Sequence, residues 1–139
     1  MIKPTRVVAK VVLIAPDGET LLMQRSATDD RRPLEWDLAG GAVDEGEDFV
    51  AAAVRETVEE AGIEVNPADL HLSFSMAADT ERGNVCWLFF VCQLNNKPTV
   101  SLSHEHSKYQ WLPFSEAVEH INYERQQIAL KHIQQYVLG

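Results

Sequence analysis

Arg55-Glu56-Thr57-Val58-Glu59-Glu60 places four charged side chains within six positions, near the end of a run from Gly41 to Ile63. Helical residues three and four apart are neighbours. On a helix, Glu56, Glu59 and Glu60 therefore share a face. Three carboxylates on one face repel each other unless positive charge sits among them. A hard divalent cation such as Mg2+, which prefers carboxylate and carbonyl oxygens, answers that need. The plain alternative is a solvated acidic face, the ordinary fate of a charge run. Local features weigh against that alternative. Gly40-Gly41 lie just upstream, where a glycine turn brings a backbone carbonyl toward the same face. Glu47 stands eight residues before Arg55 and can pair with it across the turn that opens the helix. Gly62 follows the acidic cluster, where a helix C-terminal glycine cap belongs.

The flanking segments must position this cluster. Arg6–Ala15 is rich in Val and Ile, Pro16-Asp17-Gly18 is a turn signal, and Thr20–Arg25 is a second apolar run. Together they predict a β-hairpin. Ser26–Glu35 reads as an exposed loop. A helix is expected from an Asp48 N-cap to Ala61, with Phe49, Ala52, Ala53 and Val54 on its apolar side. Leu70–Met76 reads as a strand, Glu81–Asn84 as a turn and Val85–Cys92 as a strand buried on both faces. Tyr109–Pro113 reads as a short strand, with helices at Ser115–His120 and Glu124–Val137. This order predicts an α+β fold, an α/β/α sandwich around a mixed sheet.

Bulk properties narrow the function. A chain of 139 residues is expected to form one domain over 1–139, and 45% hydrophobic content supplies a core. A net charge of -9 argues against nucleic-acid backbone as a partner. It leaves room for a small phosphorylated ligand, because a bound metal reverses the local sign. No segment reads as a signal peptide, and no apolar run approaches the ~20 residues of a membrane span. Cys86 and Cys92 fall on one predicted strand, roughly 20 Å apart at strand rise. Reduced thiols and a cytoplasmic location are the expectation.

The Gly41–Ile63 run resembles the Nudix box, G-x5-E-x7-R-E-U-x-E-E-x-G-U, where U is bulky and aliphatic. Gly41, Glu47, Arg55, Glu56, Glu59, Glu60, Gly62 and Ile63 all match at the required spacing. Thr57 departs from the first aliphatic position, a packing variation for a β-branched residue of similar size. Ala39 stands where many members carry Pro, which leaves the turn before the glycines less rigidly set. The resemblance implies the Nudix sandwich and hydrolysis of a nucleoside diphosphate linked to another group. It assigns Glu56, Glu59, Glu60 and the Gly40 carbonyl to Mg2+ or Mn2+, with Glu59 acting mainly through water. Arg55 is expected to orient carboxylates by pairing with Glu47 or Glu59. Gly41, Glu47 and Gly62 are structural parts of the motif. The general base is left open among Glu59, Glu60 and Glu105, the last in Ser103-His104-Glu105-His106. An exposed-loop role for Glu105 and its histidines is the competing reading. Arg25 ends a strand where family members face substrate, and a strand-end salt bridge is its alternative. Trp36, beside the glycines, is expected to line the pocket. Tyr123 fits either a pocket or a packing role. Trp87, Phe89 and Phe90 are expected in the core, and His71, His120 and His132 at the surface or core edge.

A compact chain of this kind resembles the nucleoside triphosphate-cleaving, MutT-like members. Pyrophosphatases of NDP-sugars or other dinucleotides are the alternative, along with a non-catalytic ligand-binding module. Intact carboxylates disfavour the module. An isoprenoid diphosphate isomerase, which shares the fold, lacks a cysteine near the pocket here. The window Ala78-Asp79-Thr80-Glu81 holds neither the Pro of ADP-ribose enzymes nor the Tyr of diadenosine polyphosphate enzymes. The expected partner is a small nucleotide, with the protein a monomer or homodimer.

Overall fold

The computed structural model describes residues 4–138. Strand β1 (Thr5–Ile14) is followed by β2 (Glu19–Arg25), β3 (Trp36–Asp37), β4 (Ala39–Ala42) and helix α1 (Phe49–Ala61). After a 3-10 turn at Pro67–Asp69 come β5 (Leu70–Thr80), β6 (Gly83–Gln93), β7 (His106–Pro113), α2 (Phe114–His120) and α3 (Glu124–Tyr136). The strands form one mixed sheet in the order β3-β2-β1-β6-β5, with β4 paired to β1 and β7 to β2. The β1–β6 pair is parallel and runs from Thr5↔Asn84 to Ile14↔Gln93.

Side-chain alternation along β1 builds two cores. Ala9, Val11 and Leu13 face α1, where they meet Leu21, Met23, Phe90, Ala53, Ala61 and Ile63. Val12 and Ile14 face the other way, with Phe89 and Val91, onto Val118, Leu130 and Ile133 of the C-terminal helices. Helices thus cover both faces of a mixed sheet, the expected α/β/α sandwich. Lys10 lies between Val8 and Val12 on the second face and is only 5% exposed. It is a charge at a core position.

The expected hairpin of β1 and β2 forms only at its turn. The two strands pair at Ile14↔Thr20 and then separate. Beyond that point β4 takes the β1 edge, from Val8↔Ala42 to Val11↔Ala39. β2 pairs instead with β7. Gly40 is what lets β4 come so close. Its φ is +118°, and a Cβ there would lie 2.1 Å from the Ala9 carbonyl oxygen. Strand β7 also starts earlier than expected, at His106, because pairing with β2 extends to Arg25↔His106. No helix among the described residues is long and apolar enough to cross a membrane.

Candidate active site

Helix α1 carries the acidic cluster, and both of its ends are fixed by the residues expected to fix them. The Asp48 carboxylate accepts from the Val50 and Ala51 amides at 3.1 Å each. Gly62 has φ 67°, and its N–H returns to the Val58 carbonyl at 2.9 Å. Ala52, Ala53, Thr57 and Ala61 are buried. Small side chains let the helix sit close to the sheet. Thr57 spends its hydroxyl within the helix, donating to the Ala53 carbonyl at 2.8 Å. It therefore fills the aliphatic position without leaving a polar group unpaired.

Close approach places the carboxylates over the glycines of β4. The Gly40 N–H donates to Glu60 Oε1 at 2.7 Å. A Cβ on Gly41 would lie 2.9 Å from the Glu56 carboxyl carbon, so a larger residue there would displace that carboxylate. Burial pushes the Glu60 carboxyl up to about 8, against the pull of Lys10. Burial also raises Glu56, opposed by Arg55 and reinforced by Glu59. Glu59 is more exposed and lies on the rim, 3.2 Å from Arg55 Nη1. Arg55 also reaches Glu47 at 2.8 Å, Glu56 at 3.2 Å and the Ala42 carbonyl at 3.2 Å. Both expected pairings of Arg55 therefore exist at once. The Glu47 carboxyl is held down at about 2, chiefly by that guanidinium.

The segment before β7 folds back onto the same place. Ligating atoms of Glu60, Glu105 and His106 all lie within 4.8 Å of one another. Glu105 is exposed beside the cluster, and its carbonyl accepts from the Ser26 amide at 2.9 Å. His106 differs from the exposed-loop reading: its side chain is fully buried, with Nε2 3.7 Å from Asp37 Oδ2. Pairing of β7 with β2 turns it inward.

Asp37, not singled out from the sequence, is the hub beneath the site. It is fully buried and accepts from Lys10 Nζ at 3.1 Å, Arg25 Nη1 at 2.8 Å and Gln126 Nε2 at 2.6 Å. Arg32 Nη2 adds an ion pair at 3.5 Å. Burial opposes the Asp37 charge, yet Lys10 and the groups around it hold its carboxyl well below the usual range. A charge inside the apolar run of β1 (Lys10) and one inside Trp36-Asp37-Leu38 were the available sequence signals. Their partnership needs the fold, since 27 residues separate them.

A cavity of about 730 Å³ opens over these groups. Glu56, Glu60, Glu105, Gly40 and Gly41 line one part of it. Arg6, Arg25, Arg31, Arg32, Arg82 and Arg125, six of the chain's seven arginines, line it too. Asp30 and Glu81 are also on the wall. Arg25 lines the cavity while also forming a strand-end ion pair, with Nε 3.0 Å from Asp29. Tyr123 lines it beneath the Arg32 guanidinium, 4.1 Å from the ring centre. Trp87 is both core and wall, with Arg125 stacked 4.6 Å over its ring. Trp36 is not among the lining residues. Its ring packs 4.7 Å from His120 on the α2 side, because the Asp37 anchor directs the neighbouring side chain away.

The residues present fit a divalent cation. The donors are hard oxygens, and Glu56 and Glu60 have carboxyls raised by burial, the state that nearby positive charge relieves. The chain matches a family model described as NUDIX domain over residues 4–133. It is 32% identical over 126 residues to the bis(5'-nucleosyl)-tetraphosphatase [asymmetrical] of Caenorhabditis elegans, covering 87% of this chain and 86% of the relative. The crystal structure of a C. elegans Ap4A hydrolase binary complex superposes with TM-score 0.77 at 28% identity, covering 96% of this chain and 98% of that one. A MutT protein from Methanosarcina mazei superposes with TM-score 0.83 at 23% identity, covering 97% and 96%.

Proposed function

The chain belongs to the NUDIX family and is a pyrophosphohydrolase, and on that premise we propose that its substrate is a nucleoside carrying a long phosphate chain, a dinucleoside polyphosphate first. The observation that carries this reading is the arginine lining. A chain of net charge -9 places six of its seven arginines around one cavity, opposite its buried carboxylates. Arginine forks match phosphate oxygens in geometry and charge. Several phosphates are needed to use so many. The relatives named bis(5'-nucleosyl)-tetraphosphatase support the same direction.

Each site residue has a role in this reading. Glu56, Glu59, Glu60 and the Gly40 carbonyl would hold Mg2+ or Mn2+. Such an ion supplies positive charge to the phosphoryl oxygens, where phosphoryl transfer needs it. Arg55 fixes the orientation of Glu56 and Glu59 while Glu47 fixes Arg55. Glu105, exposed at the cavity beside Glu60, is the base that takes the proton of the attacking water. Arg25 and Tyr123 line the substrate path. Trp36 is left a packing role.

A nucleoside triphosphate is the second reading. It is favoured by Thr80-Glu81 on the cavity wall, which offer no ring to stack a second base. Turnover of diadenosine tetraphosphate, ATP, an NDP-sugar and ADP-ribose with Mg2+ tests both. The expected order has diadenosine tetraphosphate about tenfold or more above the two sugar compounds, the discrimination that ~1.4 kcal/mol supplies. ATP ahead of the dinucleotide supports the second reading. Faster turnover of ADP-ribose than of either polyphosphate rejects both.

A further inference from the structure

Lys10 is the one lysine on the cavity wall among the described residues, and its ammonium is fully used. It donates to Asp37 Oδ1 at 3.1 Å, to the Leu38 carbonyl at 3.2 Å and to the Gly40 carbonyl at 2.8 Å. An ammonium has three donors, so none is left over. All three acceptors lie in the short segment from Asp37 to Gly40, which leads into the glycines under the acidic cluster. The next bond in the series comes from the same peptide chain: the Gly40 N–H holds Glu60 Oε1 at 2.7 Å. Lys10 and Gly40 are also register partners on β1 and β4. The Gly40 backbone sits so close that an added Cβ would be 2.7 Å from Lys10 Cα.

We propose that Lys10 is a positioning residue for the cation site: by pinning the Asp37–Gly40 segment it aims the Gly40 carbonyl and the Gly40 N–H, and through the latter the Glu60 carboxylate. A carbonyl oxygen has two acceptor directions. The ammonium takes one and leaves the other, on a residue that lines the cavity. The neighbouring residue, Ala39, gives the segment no rigidity of its own, whereas three hydrogen bonds from a buried cation do. Asp37 keeps Arg25, Arg32 and Gln126 when Lys10 is replaced, so the lysine is not needed to neutralise it. The opposite role is a like charge that merely repels a bound cation. That role predicts the opposite sign on removal.

This inference rests on the proposed metal-dependent reaction, and Mn2+ binding without substrate separates the two. Calorimetric titration of Mn2+ into Lys10→Met is expected to show affinity lower by about 10- to 100-fold, the loss typical when an outer partner of a metal-binding group is removed. The variant's kcat should fall far more than its KM rises, with its melting curve still cooperative. Wild-type Mn2+ binding with unchanged or tighter binding by Lys10→Met overturns the role of Lys10 alone. Absence of Mn2+ binding by the wild type overturns the role and the metal-dependent reading together. Should Lys10→Met fail to fold, NMR of the wild type labelled with 15N-lysine decides. A slowly exchanging Lys10 ammonium whose resonance shifts with Mg2+ supports the role. Exchange as fast as that of exposed lysines, or no response to Mg2+, overturns it.

Discussion

The Glu60 carboxyl, pushed up to about 8 by burial, holds a proton at neutral pH when no cation faces it. Its ordinary value is 4.5. Between those values the folded chain binds a proton that the unfolded chain releases, so stability falls as pH rises through that window. Glu56, also raised, adds the same sign. Asp37 works the other way: its lowered carboxyl contributes stability that is lost only as pH falls below the usual carboxylate range. The melting temperature of the metal-free protein should therefore drop from pH 5 to pH 8, by an amount reflecting on the order of a few kcal/mol. Glu60→Gln should flatten that slope in a pH series of melting curves. A wild-type slope already flat, or rising, would contradict the buried charge state. In turnover, Glu56→Gln and Glu60→Gln should each lower kcat by about 10²-fold or more, since a cation's charge stabilisation is worth several kcal/mol. Rates within a few-fold of wild type would reject the assignment of these carboxylates.

At the scale of elements, α1 and β4 are separable contributors. Removing the Asp48 cap by Asp48→Ala takes away acceptors for the Val50 and Ala51 amides. The expected cost is about 1 kcal/mol of stability in denaturant unfolding, with kcat unchanged, because the cap lies away from the cavity. Gly40→Ala is a different matter. It adds a Cβ 2.1 Å from the Ala9 carbonyl oxygen at φ +118°. Gly62→Ala meets Ser101, with its Cβ at 2.9 Å and its carbonyl oxygen at 3.3 Å, at φ 67° in the small allowed left-handed region. Gly40→Ala should thus cost more than Gly62→Ala, which loses about 1–2 kcal/mol for left-handed backbone. Equal melting temperatures for the two variants would refute the tight β1–β4 contact.

For the molecule as a whole, charge is segregated: an acidic chain with an arginine-lined cavity. Exposed Arg6 and Arg82 have no ion pair among the described residues, which leaves their charge for a ligand. Raising ionic strength should raise KM for a polyphosphate substrate, because the Debye length shortens to about 10 Å at 0.1 M salt and charges farther apart than that are largely screened. Arg6→Gln with Arg82→Gln should raise KM about tenfold and lower kcat less, each lost charge contact being worth about 0.7 kcal/mol at an exposed site. Steady-state kinetics across a salt series checks both. A salt-independent KM would count against the phosphate role of this wall.

The sequence by itself determined the acidic helix, its Asp48 and Gly62 caps and the pairing of Arg55 with Glu47 and Glu59, because these are local spacings on one helix and its opening turn. The order of apolar runs likewise implied a sheet between helices. The box glycines and carboxylates were legible for the same reason: helical geometry converts their spacing into a shared face. Tertiary structure decided what lies opposite that face. It separated β1 from β2 beyond their turn and inserted β4. It turned His106 inward and Trp36 away. It joined Lys10 to Asp37 and brought six arginines from distant segments to one cavity. None of these follows from spacing along the chain, because each depends on which strand edges pair. That choice is made by β4's close approach at Gly40 and by burial on both faces of the sheet.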